Sequence, residues 1–285
     1  MSNVIKELSR DYPLLYLDPD VNSRDEYRRV VLAGAEPFRD SLEHYAGDDR
    51  DMLETIQTPV GDVRVLTLGN RHDFELVCRG IMAAKNGPES EVPKSQGAAM
   101  FTVFNWGRIN AHLSGFPEEE RGAELKRFTA DKGNYVEMLV VLSIGPYSNI
   151  PAEVAGEEAT DWLKLSNIIR RDHELTHVIC RKKYPDNVDA IRDELIADAV
   201  GLYSAYGCYR QDLAKLFLGI STSAGAEGLS KESITYTGGR LENYTDEPKK
   251  EVKKVCDMIA KIQLISEGIK GESAFDLIAP LMEQL

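Results

Sequence analysis

Residues 157–182 and 187–206 both carry apolar side chains at helical spacing, and only the turn Arg181 to Asn187 (RKKYPDN) joins them. A connection that short leaves two consecutive helices one simple arrangement, antiparallel and side by side. Groups on their facing sides are therefore brought together by the local sequence.

The rest of the chain fits around that pair. After Pro151 helical periodicity continues through 210–219, 246–268 and 272–284. Before it, Val63 to Leu68 (VRVLTL), Ala98 to Trp106 (AAMFTVFNW) and Val136 to Ile144 (VEMLVVLSI) read as strands. Phe74 to Ala84 reads as a helix ending before Asn86-Gly87-Pro88, and 117–131 as a charged helix. Residues 20–50 also show helical spacing, interrupted near Pro37. Strands mixed with helices, followed by helices alone, predict an α+β fold. We expect a mixed α/β subdomain with a small sheet over 1–150 and a mainly helical subdomain over 151–285, with the active site in the cleft between them.

Composition narrows the class. With 285 residues, 42% of them hydrophobic, the chain can bury a sizeable core. Its 34 basic and 47 acidic side chains leave a net charge of −13, which argues against a nucleic-acid partner, since phosphate binding draws on Lys and Arg. No signal segment and no apolar run of membrane-spanning length is visible, so no membrane association and a cytoplasmic location are expected. Cys78, Cys180, Cys208 and Cys256 are scattered and form no CxxC pair, as befits small buried hydrophobes in a reducing compartment.

The chemistry concentrates on the helix pair. Residues 172–178 read DHELTHV, an H-E-x-x-H pattern at His173, Glu174 and His177. Positions four apart share a helix face, so both imidazoles reach one cation, and Glu174 sits at the edge of that face. Leu165, Ile168, Leu175 and Ile179 form the expected apolar stripe, with Thr160-Asp161 as the expected cap. On the second helix DELIAD (193–198) places Glu194 and Asp198 four apart. A catalytic zinc uses three protein ligands and keeps a position open. Glu194 supplies the third ligand in this reading, and Asp198 accepts the free ring N–H of a histidine.

H-E-x-x-H on one helix followed by E-x-x-x-D on the next resembles the gluzincin branch of the zincin metallopeptidases, with their thermolysin-like site. The resemblance covers about residues 160–205, and the longer metzincin motif is absent because no histidine follows His177. It implies a zincin-like fold, zinc held by His173, His177 and Glu194, and Asp198 behind one histidine. It also implies Glu174 as general base and then acid in the hydrolysis of a peptide or protein substrate by a zinc-activated water. An oxyanion donor is expected downstream, where YTGGRLENY (236–244) offers Tyr236, Arg240 and Tyr244, with Tyr203, Tyr206 and Tyr209 as rivals. An upstream edge strand, 98–106 or 136–144, is expected to hold extended substrate, with GPYSNIP (145–151) at the border of the cleft.

Two other readings stand beside this one. The first is a catalytically silent, zinc-stabilised regulatory or binding module. The second is a metal-free helical interaction protein in which the motif is coincidence. The tyrosines at 203–209 suit core packing, Arg240 suits a structural salt bridge, and His44, His72 and His112 suit ordinary packing.

Overall fold

The structure, a computed structural model, describes residues 3–21, 24–38, 41–86, 91–187, 189–223, 226–229, 240–269, 271 and 273–285. It divides into two compact units, one of Met1–Ile56 with Val63–Ser143 and one of Gln57–Asp62 with Ile144–Leu285. The segment 144–150, assigned by the sequence reading to the first half, thus belongs to the second unit.

The first unit is built on a sheet of β1 (Met52–Thr58), β2 (Gly61–Leu68), β3 (Ala98–Phe104) and β4 (Val136–Ser143), in the order β1-β2-β4-β3. β2 pairs with β4 in parallel, Val65 opposite Val140, and β3 pairs with β4 antiparallel, Phe101 opposite Leu139. Both faces of the two central strands are buried, which is why they read as continuous apolar runs. Leu66, Leu68, Leu139 and Val141 pack with Phe74, Val77 and Ile81 of α3 (Arg71–Asn86) and with Ile5 and Leu8 of α1 (Asn3–Asp11). Helix α2 (Arg24–Tyr27) follows α1 and precedes the sheet, and α4 (Trp106–Leu113) and α5 (Glu118–Thr129) lie between β3 and β4 in the chain.

Among the described residues of 20–50, helical structure is confined to α2 and the π-helical segment Arg28–Leu32 that continues it, because Gly34 takes a left-handed φ of 65° and Pro37 follows. Strand 98–106 ends at Phe104, since the Asn105 side chain accepts from the Arg108 backbone N–H at 2.8 Å and caps α4. Strand 136–144 is excluded as a peptide-binding edge because β4 is paired on both sides, whereas β3 closes the sheet. Helix α1 and strand β1 are additional to the elements expected from the sequence.

The second unit is helical. It comprises α6 (Ala152–Ala155), α7 (Ala159–Lys183), α8 (Ala190–Tyr206), α9 (Gln211–Phe217), a hairpin of β5 (Ile220–Ser223) and β6 (Ala226–Leu229), α10 (Pro248–Gly268) and α11 (Ile278–Gln284). Its core gathers Trp162, Ile169, Leu195, Leu202, Phe217 and Ile259. The α7 cap differs from expectation: the flanking residue is Glu158 and makes no side-chain cap bond. Leu175 and Ile179 are buried as expected, but Trp162 and Ile169 carry the buried stripe where Leu165 and Ile168 stay partly exposed. Asp189 caps α8 through the Arg192 N–H, and Gly207 ends it with φ of 69°. Of the cysteines, Cys78, Cys180 and Cys256 are buried and Cys208 is exposed, contrary to expectation for that one. No helix among the described residues is long and apolar enough to cross a membrane.

Helices α7 and α8 approach closely at Gly201, where an added Cβ would lie 2.6 Å from the Ile169 carbonyl oxygen. That obstacle is backbone and cannot swing aside. Gly201→Ala should therefore force the helices apart and cost roughly 1–3 kcal/mol of stability. Thermal unfolding measures this, and an unchanged midpoint would mean the approach is looser than described.

Candidate metal centre

One face of α7 builds the site from its start. Trp162 donates its indole N–H to the Ile150 carbonyl at 2.7 Å, and Ser166 Oγ accepts the Tyr147 backbone N–H at 2.9 Å. Arg170 donates to the carbonyls of Gly145 at 3.1 Å and Pro146 at 3.0 Å. Residues 162, 166 and 170 are spaced by one helical turn, so the segment 145–150 is laid along α7 as a strap. Within the strap Ser148 and Asn149 hold left-handed φ values of 51° and 56°, a conformation costly for residues with a Cβ. The strap ends by delivering the Tyr147 side chain to the next stretch of the same face, His173.

The two histidines are both buried, His173 to 6% and His177 to 9% exposure, and their Nε2 atoms lie 3.0 Å apart. From α8, Glu194 Oε2 lies 3.5 Å from His173 Nε2 and Oε1 lies 3.5 Å from His177 Nε2. The outer ring nitrogens are held by carboxylates: His173 Nδ1 by Asp198 Oδ1 at 2.9 Å, and His177 Nδ1 by Asp193 Oδ2 at 2.8 Å. A neutral imidazole has one N–H, and a carboxylate partner assigns it to Nδ1. Both Nε2 lone pairs then face each other and the Glu194 carboxylate, three electron-rich groups around one point that calls for a cation.

The spacing suits a metal. Ligand atoms at about 2.0–2.1 Å from a tetrahedral zinc stand about 3.3 Å from one another. The observed 3.0, 3.5 and 3.5 Å bracket that figure. Among the described residues, His173, His177 and Glu194 form the group of nitrogen and carboxylate donors able to hold an ion. Glu174 follows His173 on α7, is half-buried, lies within the field of His177, and has no described hydrogen-bond or ion-pair partner.

Titration behaviour reflects the same demand for charge. Burial pushes His177 down, but the Asp193 hydrogen bond and the charges of Glu194 and Glu174 outweigh it, leaving the ring raised to about 8. Burial raises Asp198, yet the Arg240 guanidinium and His173 pull it well below the ordinary carboxylate range. Glu194 is likewise lowered, its burial outweighed by His173, Arg240 and His177.

Behind the histidines lies a second cation. Arg240 Nη2 donates to Glu194 Oε2 and to Asp198 Oδ1, both at 3.0 Å, while Nη1 donates to Ser148 Oγ at 3.3 Å. Asp198 Oδ1 also accepts from Tyr147 O–H at 2.7 Å, whereas its buried Oδ2 has no partner among the described residues. Of the expected oxyanion donors, Arg240 thus has its fork engaged by protein groups. Tyr244 is partly buried beside Arg240 in the field of Glu194, and Tyr236 lies outside the described residues. Among the rivals, Tyr206 donates to Glu157 at 3.0 Å, and Tyr209 is buried near Asp198 with a hydroxyl that has no partner among the described residues.

Two contributors escaped the sequence reading. Asp193 stands directly before Glu194, and its one signal was being the first acid of DELIAD. Tyr147 lies 26 residues before His173, in a segment read only as a border of the cleft. Nothing in the local pattern marks it.

A family profile described as "Family of unknown function (DUF7005)" matches residues 10–271, so the chain belongs to that family. No curated protein and no solved structure matches it.

The Asp193 contact yields a direct test. In metal-free protein the His177 ring should titrate near 8 by NMR, and Asp193→Asn should bring it toward or below the ordinary value of about 6.5. A histidine raised on folding contributes stability that is complete below about 6.5 and lost as pH rises through its folded value. The metal-free melting temperature should therefore fall between pH 6.5 and about 8, and fall less in the variant. An unmoved midpoint would remove Asp193 as the partner.

Proposed function

We propose that this chain is a zinc-dependent metallopeptidase of gluzincin type, with a zincin-like fold. The observation that carries the proposal is the convergence of His173 Nε2, His177 Nε2 and Glu194 on one point while Asp198 and Asp193 hold both outer nitrogens. His173, His177 and Glu194 bind the ion, and the two aspartates fix the tautomer and orientation of the rings. When bound, zinc supplies Lewis acidity and a water made acidic enough to act as nucleophile near neutral pH.

Glu174 is the residue that would accept a proton on its carboxylate as general base and would give it to the leaving amine nitrogen as general acid. Its half-buried position and lack of a competing partner suit a group that must accept and release a proton. Tyr244 is the described residue we assign as oxyanion donor, because the Arg240 fork is already engaged. A silent zinc-stabilised module is disfavoured by the donor count. Structural sites close with four protein ligands, and three converge here among the described residues.

Purified protein should carry one zinc per chain by elemental analysis and cleave members of a peptide library. Glu174→Gln should keep the metal and lose about 10²–10⁴-fold in kcat/KM. Absence of stoichiometric zinc, or full turnover by that variant, overturns the proposal.

A further inference from the structure

Arg240 touches the candidate centre without being one of its ligands, and its placement carries a second conclusion. It reaches the site from a segment 46 residues beyond Glu194 in the chain, and its side chain is 12% exposed. One nitrogen, Nη2, bridges Glu194 Oε2 and Asp198 Oδ1 at 3.0 Å each. The guanidinium carbon stands 5.5 Å from the centre of the Tyr147 ring, and Nη1 reaches Ser148. Glu194 and Asp198 lie one turn apart on the same face of α8, so without a cation the buried Asp198 carboxylate and the partly buried Glu194 carboxylate would repel each other there.

We propose that Arg240 is a built-in counter-cation: it keeps Glu194 and Asp198 together before any metal arrives, and it opposes the charge of a metal bound by Glu194. This rests on the metal-site reading above and adds that the ligand set is held ready by a permanent protein charge. Folding of the second unit then does not await the ion, and metal binding is weaker than the bare ligand set would give. Arg240 is accordingly a positioning residue.

A simple structural clamp and a counter-cation predict opposite effects on affinity. Losing a clamp disorders the ligands and weakens zinc binding. Losing a nearby positive charge strengthens it. Two quantities decide: the melting temperature in excess chelator and the zinc dissociation constant from chelator competition, for wild type, Arg240→Gln and Arg240→Lys. Arg240→Gln should lower the metal-free melting temperature by about 5–10 °C. It should also tighten zinc about tenfold, so that zinc restores much of the lost stability. Arg240→Lys keeps the charge and should stay near wild type in both.

Unchanged or weakened zinc affinity in Arg240→Gln, with Arg240→Lys behaving the same way, overturns the proposal. If Arg240→Gln yields no folded protein with or without zinc, Arg240→Lys decides. A metal-free melting temperature near wild type supports the counter-cation, and collapse overturns it. Failure of wild type to bind zinc sinks the metal-site reading, yet the comparison of the two variants in chelator still judges whether charge at this position holds the carboxylates.

Discussion

The point between His173 Nε2, His177 Nε2 and the Glu194 carboxylate calls for positive charge, and the surrounding structure follows from that demand. Asp198 and Asp193 each take a ring N–H, which turns the opposite lone pairs inward. A proton on His177 answers the demand in the metal-free chain, and its raised titration point is the physical trace. An ion with two positive charges answers it more fully. The same geometry therefore accounts for an abnormal histidine and for a candidate zinc site.

Holding that arrangement is costly. Asp198 is 1% exposed and accepts three donors on one oxygen, from His173, Tyr147 and Arg240. A buried carboxylate tolerates such isolation from water only when its charge is matched by hydrogen-bonded donors. Two of those donors depend on distant chain. Tyr147 arrives on a strap whose Ser148 and Asn149 occupy left-handed conformations, each a cost of about 1–3 kcal/mol. Trp162, Ser166 and Arg170 offset it by tying the strap to the helix that carries the histidines. Strain, tether and ligand thus share one face of α7.

Much of the fold was legible because its signals are local. The long helices at 157–182 and 187–206, the charged helix at 117–131 and the central strands all correspond to periodicities that need no knowledge of partners. The errors fall where a single contact overrides local pattern. Gly34 and Pro37 stop a helical repeat, and the Asn105 side chain turns a strand into a helix start two residues early. The choice between the two candidate edge strands depended on pairing across the sheet, a property that neither strand's own sequence contains.

The sequence by itself determined the helix pair, the candidate ligands His173, His177 and Glu194, and the base candidate Glu174. The 3.6-residue repeat puts positions four apart on one face, and a short turn sets the second helix beside the first. Asp198 behind one histidine was legible too, and only the tertiary structure decided what else stands behind those ligands. Tyr147 and Arg240 come from 26 residues before His173 and 46 residues after Glu194, and Asp193 became a partner of His177 only once α7 and α8 were in register. Those contacts are set by packing at close approaches such as Gly201 against Ile169, and packing joins residues that no local spacing relates.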